Sequence, residues 1–227
     1  MVEIKERLAR VQLLIEEAAK RSGRPAKEIT LVAVTKGVPP ERVLEAKEAG
    51  LRLFGENRIQ EAKEKIPKVV DPAVEWHLVG HLQSNKVSDA LSLFSLIHSV
   101  DSVRLAERIS RESEQRGRVT PALLEVNISG EPQKYGFLPE AIYTAIDAIK
   151  DFPGIRISGL MGMAPNDPDK EKKREAFKKL RNLFSVCRSF KGERLEMKYL
   201  SMGMSGDFET AIEEGSNMVR LGRILFG

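Results

Sequence analysis

Three stretches of the sequence carry residues whose types and spacing suit chemistry at a shared site. Lys36 closes the apolar run TLVAVT, and in an extended strand it shares a face with Val32 and Val34. If that face points into the protein, burial lowers the lysine pKa and yields a free amine able to attack an aldehyde and form a Schiff base. The competing reading is a rim lysine that caps the strand or pairs with a carboxylate. The second stretch, Ser201-Met202-Gly203-Met204-Ser205-Gly206-Asp207, is small, flexible and rich in hydroxyls. With Asp207 as N-cap of the helix FETAIEEG, it exposes backbone N–H groups and a helix dipole to an anion such as phosphate, although an ordinary strand-to-helix turn looks the same. The third, Arg220-Leu221-Gly222-Arg223, offers two anion donors, while Gly222 and Gly227 permit close backbone approach. Taken together, the last two stretches argue for a phosphate more strongly than either does alone.

Other chemistries are less well supported. His77 and His81 are four apart, but His77 lies on the strand EWHLV and His81 beyond Gly80, so the helical metal-pair geometry does not apply. With His98 isolated, packing or loop roles are expected and a zinc site is not. The lone Cys187 sits in the helical pattern FKKLRNLFSVCRSF, which excludes an intramolecular disulfide and points to helix packing. There is no Ser/His/Asp elbow and no Walker sequence. The first strand is followed by Lys36-Gly37-Val38-Pro39-Pro40, not by G-x-G-x-x-G.

The elements that must position these residues alternate. Apolar, β-branched runs predict strands near 30–35, 51–54, 75–79, 94–99, 121–127, 155–160, 196–200 and 217–221. Helical patterns lie between them, such as PPERVLEAKEAG, stopped by Gly50, and DSVRLAERISRESEQRG, with Asp101 as candidate N-cap. Eight βα units without a Pro/Gly/Ser-rich linker predict a single α/β domain over 1–227, a (β/α)8 TIM barrel with an extra N-terminal helix. An open doubly wound sheet is the structural alternative. In a barrel the site lies at the C-terminal strand ends, with phosphate often held after strands 7 and 8, where the second and third stretches fall.

Composition agrees with this class. The 227 residues are 41% hydrophobic, 31% charged and 6% aromatic, a soluble globular profile that excludes disorder and collagen. No stretch approaches the roughly 20 apolar residues of a membrane span, and MVEIKERLARVQLLIEEAAK reads as an amphipathic helix, not a signal peptide. No membrane role is therefore expected, and the protein should stay cytoplasmic. The net charge of +4 comes from 37 basic and 33 acidic residues that are interleaved throughout, which argues against nucleic acid as a partner. The run DPDKEKKREAFKKLRNLF reads as a solvated outer helix.

The blocks AVTKGVP, LFGENRIQE, WHLVGHLQSNK, LLEVNISGEPQKYGF, GLMGMAP, YLSMGMSGDFETAIEEGS and VRLGRILFG resemble, in order and over essentially the whole chain, the pyridoxal phosphate homeostasis protein family. These are single-domain relatives of the alanine racemase barrel. The resemblance implies the (β/α)8 fold, pyridoxal 5'-phosphate as cofactor and Lys36 as its Schiff-base lysine. It also implies that Ser201, the backbone around Met204 and Ser205, Gly222 and Arg223 hold the phosphate, that Arg220 faces the pyridine nitrogen, and that Asn57 and His81 lie nearby.

An arginine facing that nitrogen donates hydrogen bonds and does not give up its proton, so the ring stays unprotonated and is a weak electron sink. The expected function is therefore a carrier for vitamin B6 homeostasis, passing the cofactor to apo-enzymes without turnover of its own. The alternative is an amino-acid racemase. Related racemases take a second catalytic base, a tyrosine, from a C-terminal β-domain of a partner subunit, whereas this chain stops at Gly227. A monomer with no more than trace racemase activity is the resulting expectation. A cofactor-free Schiff-base aldolase is a third reading, and it would be colourless.

Overall fold

The computed structural model describes residues 2–227. Eight parallel strands close into a barrel in sequence order: β1 (Thr30–Val34), β2 (Leu53–Glu56), β3 (Glu75–Leu78), β4 (Leu96–Val100), β5 (Thr120–Val126), β6 (Ile155–Gly162), β7 (Leu195–Ser201) and β8 (Met218–Leu221). The ring is sealed by β1 against β8, with Val32 opposite Arg220. An N-terminal helix α1 (Val2–Arg21) precedes the barrel. The helices that follow each strand in turn are α2 (Pro40–Glu48), α3 (Ile59–Lys65), α4 (Val87–Leu93), α5 (Val103–Glu114), α6 (Ile142–Ile149), α7 (Lys170–Cys187), α8 (Phe208–Glu213) and α9 (Arg223–Phe226). The TIM barrel and the extra helix are as the sequence leads one to expect.

The period-2 pattern sorts each strand between two cores. Val32, Leu96, Leu123, Met161 and Met218 fill the barrel, with Leu53, Val79, Met163 and Tyr199 packed against them. The alternate residues, among them Ala33, Phe54, Leu78, Ile97, Leu124 and Leu200, meet the helices in a separate cluster. The basic run forms α7, which buries Ala176, Phe177, Leu180, Phe184 and Cys187 and leaves its charges outside. Burial pushes the Cys187 thiol up to about 11, as suits a packing residue.

Several boundaries differ from the sequence reading. Strand β2 starts at Leu53, not at 51, because Leu51 N–H still donates to Ala46 of the departing helix (3.0 Å). Strand β4 likewise starts at Leu96, since Phe94 N–H bonds Ala90 O (3.0 Å) and caps α4. Strand β6 runs on to Gly162 through a register shift against β7. The N-cap of α5 is Ser102, not Asp101: its hydroxyl accepts from Leu105 N–H (3.3 Å) and donates to Asp101 Oδ1 (3.2 Å). Asp207 does occupy the N-cap of α8, yet its carboxylate makes no capping bond there.

Candidate cofactor site at the barrel mouth

Lys36 lies two residues beyond Val34, on the face that Val32 turns into the barrel. It is exposed, so the expected burial of this amine is corrected: it stands in solvent at the mouth. It also makes no hydrogen bond or ion pair among the described residues. The capping role weighed for Lys36 belongs to another lysine. Buried Lys65 of α3 donates to Thr35 O (2.6 Å) and to the Glu56 carboxylate, which also accepts from Thr35 Oγ1 (2.5 Å). This cluster ties the ends of β1 and β2 from behind the wall and leaves the Lys36 side chain free.

Beside Lys36 in the ring is β8, and its Arg220 is almost wholly buried. Arg220 Nη1 donates to Ser201 Oγ (2.7 Å) and Nη2 to Gly162 O (3.2 Å). Burial pushes its guanidinium down to about 10, against the fields of Glu125 and Asp207, so it keeps its charge at neutral pH. Ser201, expected on the phosphate, is fully buried, and its hydroxyl lies between Arg220 and His98 Nδ1 (3.2 Å). His98 Nε2 in turn meets His77 Nδ1 at 3.0 Å. The structure thus places Ser201 with Arg220, and it joins two histidines that the sequence alone leaves isolated or assigned to packing.

The β7 and β8 loops meet as expected. Ser205 Oγ accepts from Gly222 N–H (3.3 Å) and Ile224 N–H (3.4 Å), gathering the donors that open α9. A Cβ on Gly222 would sit 3.1 Å from Val34 O, so glycine lets β8 turn tightly against β1. Exposed Arg223 has no ion pair among the described residues. The Met204 N–H, in contrast, is taken by Asp207 Oδ1 (2.6 Å), which holds the loop's shape and removes that donor from an incoming anion.

Asn57 follows β2, half-buried, where its carbonyl lies so near Gly80 that a Cβ there would come within 2.2 Å. His81 stacks on Tyr135 of the β5 loop (centroids 3.7 Å, planes 11° apart), with Nδ1 3.2 Å from Asp101 Oδ2. No local sequence signal reveals this rim set, since it joins the loops after β3, β4 and β5.

Two buried titrations oppose each other here. Burial, reinforced by Asp101, raises Glu125 to about 7, and burial lowers His77 to about 4. Between pH 7 and pH 5 the folded protein takes up the Glu125 proton that the unfolded chain does not, which stabilises it. Over the same interval the unfolded chain protonates His77 and the folded one does not, which destabilises it. Each effect is on the order of 2 kcal/mol, so these two nearly offset each other, and His98, which burial also holds well below the ordinary histidine range, adds a further loss on the side of His77. In the cofactor-free protein, Glu125→Gln should therefore lose roughly 2 kcal/mol more than the wild type between pH 7 and 5 in urea unfolding. Parallel stability profiles would refute this.

The chain matches the family described as alanine racemase, N-terminal domain, over residues 8–227. The pyridoxal phosphate homeostasis protein of Pseudomonas aeruginosa is 40% identical over 230 residues, covering 100% of this chain and 96% of that protein. Its counterpart in Aquifex aeolicus is 39% identical over 222 residues, covering 98% and 96%. The structure of PipY of Synechococcus elongatus with PLP bound superposes with a TM-score of 0.85 at 36% identity, covering 99% of this chain and 100% of PipY. The chain therefore belongs to the alanine racemase N-terminal domain family, among the pyridoxal phosphate homeostasis proteins.

Proposed function

We propose that the protein binds pyridoxal 5'-phosphate at the barrel mouth, holds it as a Schiff base on Lys36, and serves vitamin B6 homeostasis by passing it to apo-enzymes. We further propose that it works as a monomer in the cytosol and has no turnover of its own. One observation carries the reading: an unpaired amine, Lys36, just past the end of β1, and a buried guanidinium, Arg220, on the adjacent β8, stand beside a loop pair that gathers N–H donors.

The residues present suit such a group. An aldehyde on a phosphorylated pyridine supplies an electrophilic carbon, an anion and a ring acceptor. Lys36 offers the nucleophile without a competing carboxylate. The Arg223 guanidinium and the Ser205 hydroxyl proton offer donors for the anion, and an anion that displaces Ser205 Oγ would also receive the Gly222 and Ile224 N–H groups now held on it. Arg220, charged and donor-only, offers a hydrogen bond to a ring nitrogen and withholds a proton from it. Ser201 serves by holding Arg220, while Asn57 and the backbone around Met204 shape the surrounding wall.

Titration with pyridoxal phosphate, followed by absorbance, tests the assignment and should saturate at one equivalent. Arg223→Ala should cost about 1.5 to 3 kcal/mol, or roughly one to two decades of affinity. Gly222→Val should weaken binding as well, by pushing the loop off Val34. Unchanged affinity in both variants would move the phosphate elsewhere.

A further inference from the structure

We propose that His98, backed by His77, is a positioning residue that fixes Arg220 through Ser201 and thereby sets the selectivity of the site for a ring that carries a nitrogen acceptor. The proposal rests on the cofactor reading above for the ligand, and on the geometry of this chain alone for the proton order.

The direction of the chain follows from its first member. Arginine has only donors, so Ser201 Oγ must accept from Arg220 Nη1 (2.7 Å). The hydroxyl then has one proton to place, and its acceptor among the described residues is His98 Nδ1 at 3.2 Å. His98 must therefore carry its own proton on Nε2, which donates to His77 Nδ1 at 3.0 Å. His77 in turn carries its proton on Nε2. In the reversed order Ser201 would receive two donors, and its own proton would have no partner in a fully buried place, which costs about 1 to 3 kcal/mol.

Both imidazoles have to be neutral for this order, and the surroundings enforce it. Burial holds His98 well below the ordinary histidine range, helped by His77 and by the Arg220 charge, while burial alone lowers His77. The bonds run from β8 through β7 and β4 to β3, and the second Arg220 nitrogen is fixed on β6 by Gly162 O (3.2 Å). Five strands thus share in the aim of one guanidinium. A hydrogen bond that is accepted and passed on polarises its neighbours, so the Ser201 oxygen is a better acceptor for Arg220 with His98 present than without it.

Two measurements test this. Nitrogen NMR of the ligand-free protein should show His98 and His77 with Nδ1 pyridine-like and Nε2 pyrrole-like at neutral pH. A protonated Nδ1 on His98, or a doubly protonated ring, would overturn the proton order. The second measurement compares binding of pyridoxal phosphate with its 1-deaza analogue, in which a C–H replaces the ring nitrogen. The wild type should prefer the natural compound by about tenfold or more, as one charge-assisted bond allows. His98→Leu should lose most of that preference, chiefly by weakening the natural compound. His98→Asn, whose Oδ1 can accept from Ser201 where Nδ1 did, should regain it. A merely structural His98 would weaken both ligands by the same factor, and that result would overturn the positioning role. A wild type that binds neither compound would overturn the cofactor reading and the selectivity with it, whereas the NMR result stands or falls independently of any ligand.

Discussion

Replacing Lys36 with alanine should abolish the visible absorbance that pyridoxal phosphate gains on the protein, and borohydride should then label no lysine. The effect is all-or-none because a Schiff base needs an amine at one place, and the chain supplies a free one there. The neighbouring lysine, Lys65, is spent on Thr35 and Glu56 behind the wall, and Lys134 on the β5 loop is paired with Glu131 at 2.5 Å. The loops after β7 and β8 are untouched by the change, so the variant should still hold the phosphorylated ring weakly, with the absorbance of the free aldehyde. Peptide mapping of the reduced wild-type protein should place the label on Lys36; finding it on Lys86 or Lys134 would sink the assignment.

The second large effect is an activity that should be missing. Incubated with L-alanine in deuterated water, the loaded protein should exchange the α-proton at no more than a trace rate. Arg220 keeps its own proton, held between Ser201 and Gly162 O, so a ring nitrogen facing it remains unprotonated and draws electrons poorly. A positioned acid or base is typically worth about 100-fold to 10,000-fold, and the phenol at the rim, Tyr135, is stacked on His81 and largely exposed. Exchange that depends on Lys36 and runs at ordinary enzyme rates would favour a racemase instead. If Tyr135→Phe then removed that exchange, Tyr135 would be its second base.

Much of this architecture is legible in the order of the amino acids. Runs such as TLVAV and PALLEV announce strands, and their alternation sends Val32, Leu123 and Met218 inward, with Arg220 two residues beyond Met218. What is not legible depends on register between strands distant in sequence. His98 looks isolated along the chain because its partners, His77 and Ser201, lie 21 and 103 residues away and meet it only once the ring closes. The same holds for Lys65: it reads as one more surface lysine of a charged helix until α3 carries it against Thr35. Parity identifies Lys36 but not its exposure, since strand alternation gives direction and says nothing of depth at the mouth.

The helix ahead of the barrel braces the part of the ring that holds the anion donors. Helices α8 and α9 span only six and four residues, far below the length at which a helix sustains itself in water. Both pack against α1. Arg21 at its end grips Glu213 (2.7 Å) and Glu209 (3.0 Å) of α8, and Arg24 just beyond it binds the carbonyls of Ile212 (2.8 Å) and Ser216 (2.7 Å). The amides that open α9 therefore cannot loosen on their own terms: their local unfolding is coupled to the detachment of a twenty-residue segment at the other end of the chain. By linkage, a ligand that orders those amides also protects α1 from hydrogen exchange, so occupancy of the mouth is written into the exchange rates of a helix that need not touch the ligand.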